Sequence, residues 1–350
     1  MRRFDYSFLQ DIMVPASLMT RVSMVEGLKA RTSFSRRGHE PVLGDMYRLS
    51  LMISVQAARR DGRLYADDRR IVDLFYDRAE PADFDEKLLL GYRDALALVH
   101  EHHDDLRIDP VSVKRIYSVL VARTGEPVEY RTADSVIMLP FENGEPRYIM
   151  SPVRPEDLTG SMDGMLDACS RASTDLGINK YLLLAVFMLD FLCIQPFRKH
   201  NGMMARLCVI LLMYRMGMDI QRYVSCDQVV YMYIQSHYEA FTKGSEGWND
   251  YTNDYIPYMQ EMARDLFICY GFFERRLRGM NGTNEKSLRV YYQAITTPLP
   301  LSKKDICGFL PDVSEAMVEL TLSNLVKDGR LTRIGGKRNA RYIRTANHWY

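Results

Sequence analysis

Eight residues, Gln195-Pro196-Phe197-Arg198-Lys199-His200-Asn201-Gly202, separate the two most apolar stretches of the chain, Tyr181 to Ile194 and Met203 to Met216. If both stretches are helices, the loop ends at the start of the second. There the first backbone N–H groups lack helical partners and the helix dipole favours negative charge. Arg198, Lys199 and Arg206 add cations. The chemistry such a place can do is to hold a phosphate-like anion. A solvated basic turn between two helices uses the same residue types and is the commoner explanation for an arbitrary loop.

Other side chains also invite a chemical reading. His100-Glu101-His102-His103-Asp104-Asp105 contains metal-ligand types, but helical spacing puts only His100 with His103 or Asp104 on one face. A solvated helix terminus explains it better. Cys169, Cys193, Cys208, Cys226, Cys269 and Cys307 are scattered, without a Cys-x-x-Cys pair. They read as reduced core thiols, neither a disulfide framework nor a zinc site. The many Met and Tyr read as core and interface filling.

The elements that must position the loop are helices. MYRLSLMISVQAARR, EKLLLGYRDALALVHEHH, SVKRIYSVLVAR, NKYLLLAVFMLDFLCI, MARLCVILLMYRMG and VVYMYIQSHYEAF repeat apolar residues at three- and four-residue spacing, which favours helices over strands. One piece differs. From Gly125 to Ser151, two short β-prone segments flank Glu142-Asn143-Gly144-Glu145, a hairpin signal. The 350 residues, 47 % hydrophobic and 26 % charged, exclude a disordered chain and suggest two or three domains. The start has no apolar run suited to a signal peptide, and Tyr181 to Ile194, broken by Asp190, is shorter than the roughly 20 residues of a membrane span. A cytoplasmic location without membrane contact is the expectation.

The overall net charge of +1 says nothing about partners. After the turn-rich joint Asn281-Gly282-Thr283-Asn284, however, eleven Lys and Arg face six acids, a net of +5, leaving −4 for the first 284 residues. Helices are expected over Lys286 to Thr296, Ser302 to Phe309 and Ser314 to Lys327, with Gly335-Gly336 turning a hairpin. Three helices and a hairpin make a winged helix. Ser314, Glu315, Glu319 and Asn324 would lie on its third helix, and Lys337, Arg338 and Arg341 in the wing. The wing cations suit DNA phosphate and the two Glu oppose it, so DNA binding and protein docking or dimerisation both stand.

The segment Ile194 to Leu207 resembles the signature loop of the Fic-domain family, His-x-Phe-x-(Asp/Glu)-Gly-Asn-Gly-Arg-x-x-Arg followed by an apolar helix. Tyr130-Arg131-Thr132 before the hairpin looks like the approach to the family's target-positioning flap, and Tyr238-Glu239-Ala240 and Trp248 downstream agree. The resemblance spans roughly residues 15 to 345. It implies a mainly α fold: a helical N-terminal region at 1–110 with an inhibitory helix, a Fic core at 111–284 with a β-hairpin flap, and a winged helix-turn-helix at 285–350, a module many Fic proteins carry.

The activity implied is transfer of AMP from ATP to a protein hydroxyl (AMPylation), with a His as general base, a carboxylate for Mg²⁺, and Asn, backbone N–H groups and Arg on the nucleotide. The departures are then decisive. Gln195 stands where the family has its His and cannot take a proton at neutral pH. Lys199 replaces the metal-binding acid and reverses its charge, His200 replaces a Gly, and Met203 replaces the first Arg. Phe197, Asn201, Gly202 and the second Arg, Arg206, remain.

Losing a base costs about 10²- to 10⁴-fold, so a pseudoenzyme is expected that acts by binding. The nucleotide-binding candidates are Phe197, Lys199, His200, Asn201, Gly202 and Arg206, with ATP held without Mg²⁺ and with Lys199 as either phosphate counter-charge or solvated loop lysine. DNA, a protein or a second copy of the chain would meet the C-terminal module. The alternative is an active adenylyltransferase with a rearranged loop and His200 as base. Thr20 to Gly27 also resembles the family's inhibitory motif, (Ser/Thr)-x-x-x-Glu-(Gly/Asn), although its hydroxyl position is Val22, with Ser23 one place late. That resemblance would pair Glu26 with Arg206. A helix-end Glu before a capping Gly27 explains it equally well.

Overall fold

The structure, a computed structural model, describes residues 2–37, 39–66, 68–141, 145–280, 285–296, 300–336 and 339–345. Five helices come first: α1 (Ala16–Ser35), α2 (Glu40–Asp61), α3 (Asp68–Phe75), α4 (Phe84–His102) and α5 (Pro110–Val121). A hairpin of β1 (Ile137–Leu139) and β2 (Arg147–Met150) follows, then α6 (Leu158–Thr174), α7 (Lys180–Ile194) and α8 (Asn201–Arg215). After α9 (Cys226–Met232), α10 (Ile234–Ser245) and α11 (Ile256–Met280), the chain continues through α12 (Glu285–Thr296), β3 (Leu301–Ser302), α13 (Lys303–Phe309), α14 (Glu315–Lys327), β4 (Leu331–Ile334) and β5 (Arg341–Arg344). The fold is mainly α, as the apolar periodicity predicts. Among the described residues no helix is long and apolar enough to cross a membrane.

Local chemistry sets the helix starts. Asp83, Asp109, Asn179 and Ser225 each accept a backbone N–H of the helix they precede, and Pro110 opens α5 without needing a donor. Helix α7 lies at the centre, buried on every side, so its apolar residues are continuous and not striped. α5, α6, α8, α10 and α11 pack around it and its neighbours. The hairpin forms within the expected segment, with Ile137 opposite Met150, Leu139 opposite Arg147, and a bulge after Ile137. Of its expected turn, Glu142, Asn143 and Gly144 lie outside the described residues.

The C-terminal residues form a second, smaller core of Val290, Ala294, Leu301, Ile306, Leu310, Val318, Leu322 and Leu325 under an antiparallel sheet in the order β3-β5-β4. Ser302 and Asp305 make a reciprocal capping box at α13. Helix α12 serves both cores: Leu288 and Tyr292 bury in the large one, Val290 and Ala294 in the small one. Arg289, on the same helix, reaches Asp45 of α2 at 2.5 Å and Asp312 at 2.5 Å. The expected joint, Asn281 to Asn284, lies outside the described residues.

The histidine-rich end of α4 corrects the reading of a wholly solvated terminus. Glu101, His102, Asp104 and Asp105 are exposed, but His100 is buried, with Nδ1 2.6 Å from the Tyr214 hydroxyl and Tyr47 edge-on to its ring. His103 stacks on Tyr214 at 4.1 Å. Burial, helped by Arg222 and His103, pushes the His100 pKa down to about 3. A folded pKa below the unfolded value of about 6.5 means stability is full above pH 6.5 and is lost as pH falls toward 3. Between pH 6.5 and 4.5 this one residue should remove about 2 kcal/mol, the loss approaching about 1.4 kcal/mol per pH unit once the unfolded imidazole is fully protonated. Urea unfolding at those two pH values checks it. A pH slope that His100→Asn leaves unchanged would assign the loss to other groups.

Candidate functional site

The loop between α7 and α8 is held by its own backbone turns. Gln195 caps α7 in the left-handed region, φ +47°, and His200 precedes α8 at φ +62°. Each costs a non-glycine residue roughly 1–2 kcal/mol, so the surroundings must enforce the conformation. Between them Phe197, fully buried, stacks on Tyr117 of α5 at 3.7 Å and 8° and meets Tyr130 edge-on at 5.5 Å. Asn201 folds back on the same residue: Oδ1 accepts the Phe197 N–H at 2.9 Å and Nδ2 donates to its carbonyl at 2.7 Å. Both polar ends of Asn201 are thus used to close the loop.

Arg131 fastens the loop to the segment leading into the hairpin. Its backbone N–H donates to the Pro196 carbonyl at 2.9 Å, and its buried guanidinium donates to the carbonyls of Gln195, at 2.9 Å, and Ala133 and Val153. A β-bridge joins Tyr130 to Phe197 beside it. Burial lowers the Arg131 pKa, but from so high a value that the group stays charged. The carbonyls around it supply the compensation a buried cation requires.

Two of the three cations are already engaged, Lys199 by Glu126 and Arg206 by Asp227. Glu126, just beyond α5, holds the His200 Nε2 at 2.7 Å and the Lys199 Nζ at 3.5 Å. Phe84 lies beneath both, 5.3 Å from the Lys199 ammonium and 6.1 Å from the His200 ring. Burial lowers the His200 pKa and Glu126 opposes that shift, so the ring is neutral at pH 7. Arg206 lies 2.9 Å from Asp227, at the start of α9, and Asp227 also accepts from the Tyr92 hydroxyl at 2.9 Å and from Gln221 at 3.2 Å. Gly202 is not forced by crowding, since an added Cβ would meet only the Arg206 side chain, at 3.8 Å. Arg198 points to solvent.

Neither reading of Glu26 holds. The periodic burial of Leu18, Val22, Val25 and Leu28 turns one face of α1 inward and leaves Glu26, next to Val25, exposed. It lies beside Tyr181, whose hydroxyl is pushed up by burial and then by this carboxylate. Tyr181 opens α7 while the loop follows its end, about 20 Å away at 1.5 Å per residue. Arg206 has Asp227 instead. Gly27 does not end a helix either, because α1 continues to Ser35.

In the C-terminal module, Lys337 and Arg338 lie outside the described residues. Arg341 is exposed on β5 and donates to the Pro300 carbonyl at 3.3 Å. On α14, the Ser314 hydroxyl is used as N-cap, and the exposed Glu315 and Glu319 are bridged by Lys303 at 2.8 and 3.1 Å.

The Fic/DOC family model matches residues 107–213, from just before α5 into α8. The chain carries a Fic-family domain. No curated protein sequence matches it. Among solved structures, a Fic family protein from Desulfovibrio desulfuricans G20 is 15 % identical at a TM-score of 0.60, with 96 % of this chain and 98 % of that one covered. A Fic domain containing signaling protein from Bacteroides thetaiotaomicron VPI-5482 is also 15 % identical, at 0.57, over 73 % of this chain and 98 % of that one. Fic-1 from C. elegans, residues 134–508, gives 15 % and 0.57 over 75 % and 74 %. At these identities the likeness is one of fold.

The structure therefore brings together Gln195, Phe197, Lys199, His200 and Asn201 in the Fic loop, with Arg206 one turn into α8, and leaves Glu26 apart. Sequence reasoning missed Glu126, Asp227 and Tyr117, and took Arg131 only as part of the approach to the flap. Their partners are far away in the chain, 74 residues for Glu126 and His200. A charged residue near a helix end carries no mark of such a partner.

Proposed function

We propose that this chain is a catalytically degenerate Fic-family protein that acts by binding and not by transferring AMP. The observation that carries this is the state of the loop's charged groups. Gln195 and Lys199 stand where the family has base and metal acid, and Lys199 and His200 both turn onto Glu126. An amide offers no base, and a carboxylate already paired with the Lys199 ammonium and hydrogen-bonded by the His200 ring is a poor Mg²⁺ ligand. Nor do the phosphates of ATP fit the loop as arranged, because they would have to displace Glu126 from Lys199 and His200 and Asp227 from Arg206.

Binding then falls to the C-terminal module, which we read as a winged helix. The acidic outer face of α14 favours a basic protein surface over DNA phosphate, while Arg341, with Lys337 and Arg338, would serve DNA. The second reading, AMP transfer with His200 as base, draws on the 2.7 Å contact that lets Glu126 orient His200.

Calorimetric titration of ATP with and without Mg²⁺, paired with a labelled-ATP transfer assay, tests the proposal. No transfer is expected, and any ATP binding should be weak and indifferent to Mg²⁺. Glu126→Gln, which removes the competing carboxylate, should tighten ATP about tenfold, or about 1.4 kcal/mol, and Arg206→Ala should undo the gain. Mg²⁺-dependent labelling by the unaltered chain, lost in His200→Ala, would overturn the proposal in favour of the transferase.

A further inference from the structure

We propose that Cys226 and Cys269 are an oxidisable thiol pair that closes to a disulfide by exchange with a small disulfide such as oxidised glutathione. The Cys269 thiol, fully buried on α11, donates to the Cys226 sulfur at 3.4 Å. Cys226, the first residue of α9, is only partly covered, so it is the more accessible thiol of the two. Closing to the bonded distance of about 2.05 Å moves the sulfurs by about 1.4 Å, which side-chain rotation can supply.

The order of events follows from access and charge. Burial, the Cys226 contact, and then the Asp265 and Asp227 carboxylates push the Cys269 thiol well up, so it is not the first nucleophile. The Cys226 thiolate attacks one sulfur of oxidised glutathione, forming a mixed disulfide and releasing one glutathione thiolate. Cys269 then gives its proton to water and attacks the Cys226 sulfur, releasing the second. The protein loses two thiol hydrogens and the oxidant becomes two molecules of glutathione.

The bond would tie the first turn of α9 to α11. Asp227, the next residue, is the partner of Arg206, so oxidation fixes the carboxylate that holds this arginine. This consequence rests on the proposed reading of the loop, whereas the thiol chemistry does not.

The full chain is equilibrated in graded ratios of oxidised to reduced glutathione, quenched with acid, digested and mapped by mass. The expected product is a Cys226–Cys269 cross-link, with the thiol count after denaturation falling from six to four. Cys269→Ser should instead accumulate a persistent glutathione adduct at Cys226, and Cys226→Ser should give neither product. Finding only a stable adduct in the unaltered chain, a cross-link to another cysteine, or six free thiols at every ratio would overturn the proposal. ATP titration of Glu126→Gln in both redox forms then tests the consequence. Weaker binding in the oxidised form is expected, and equal binding would remove the link to Arg206 while leaving the disulfide standing.

Discussion

Gly91→Ala should destabilise the chain by about 3 kcal/mol, at the upper end of the usual cost of overpacking. Gly91 lies inside α4 where α5 crosses it, and a Cβ added there would stand 1.9 Å from the Leu120 carbonyl oxygen and 2.9 Å from its carbon. Both are backbone atoms in a helix, so no rotamer change relieves the overlap and the two helices must part. The strain reaches the Fic loop from two sides. Tyr92, the next residue, holds Asp227, and Tyr117, on the displaced helix, is the ring under Phe197. Urea unfolding measures the loss, and near-ultraviolet circular dichroism should show altered tyrosine packing. A midpoint shift worth under about 0.5 kcal/mol, the range of neutral surface changes, would mean the helices separate freely there.

Asp190→Ala should cost about 3–5 kcal/mol, the usual penalty for removing one member of a buried charged network. Asp190 lies inside the most apolar helix, fully buried, and accepts from Trp248 Nε1 at 2.7 Å and from the hydroxyls of Tyr255 and Tyr6 at 2.8 and 2.9 Å. Burial raises its pKa, while these three donors and the nearby Arg2 work against that. Arg2 sits over the Trp248 ring at 4.6 Å and donates to the Tyr255 hydroxyl at 3.0 Å. The carboxylate thus fastens the segment before α1 to α7. Alanine strands three donors in a dry interior, and limited proteolysis should cut near the N-terminus before the chain unfolds globally. Asparagine keeps an acceptor and should lose less. Equal losses for the two variants would assign the effect to charge alone.

Asp190 also shows where the sequence could be read and where it could not. An acid inside an apolar run reads as an interruption, because pattern analysis counts it against the helix. Its purpose depends on Tyr6, 184 residues away. Periodicity exposes elements that bury one face, such as α2, α4 and α5, whereas α7 and α8 are legible as long, nearly unbroken apolar runs. It does not expose an interruption such as Tyr233, where an expected continuous helix breaks into α9 and α10. The loop between α7 and α8 was legible because its residue types sit side by side in the chain. Glu126, Arg131 and Asp227 were not, since each acts by charge or hydrogen bonding across a distance only the fold closes. Glu26 failed for the opposite reason: a short local match carried no information about which face of α1 turns inward.

Helix α12, shared between the two cores, gives the C-terminal module a mechanical character. A load applied to α14 or the sheet reaches α12 through their common interior and passes to α2 through the Arg289–Asp45 contact. From α2, the Ser50 hydroxyl donates to the Gln221 carbonyl at 2.7 Å, and Ser54 lies 2.8 Å from Ser225, directly before Cys226 and Asp227. The module is therefore less a bead on a tether than a lever, with α2 as its beam and the Arg206–Asp227 latch near the far end.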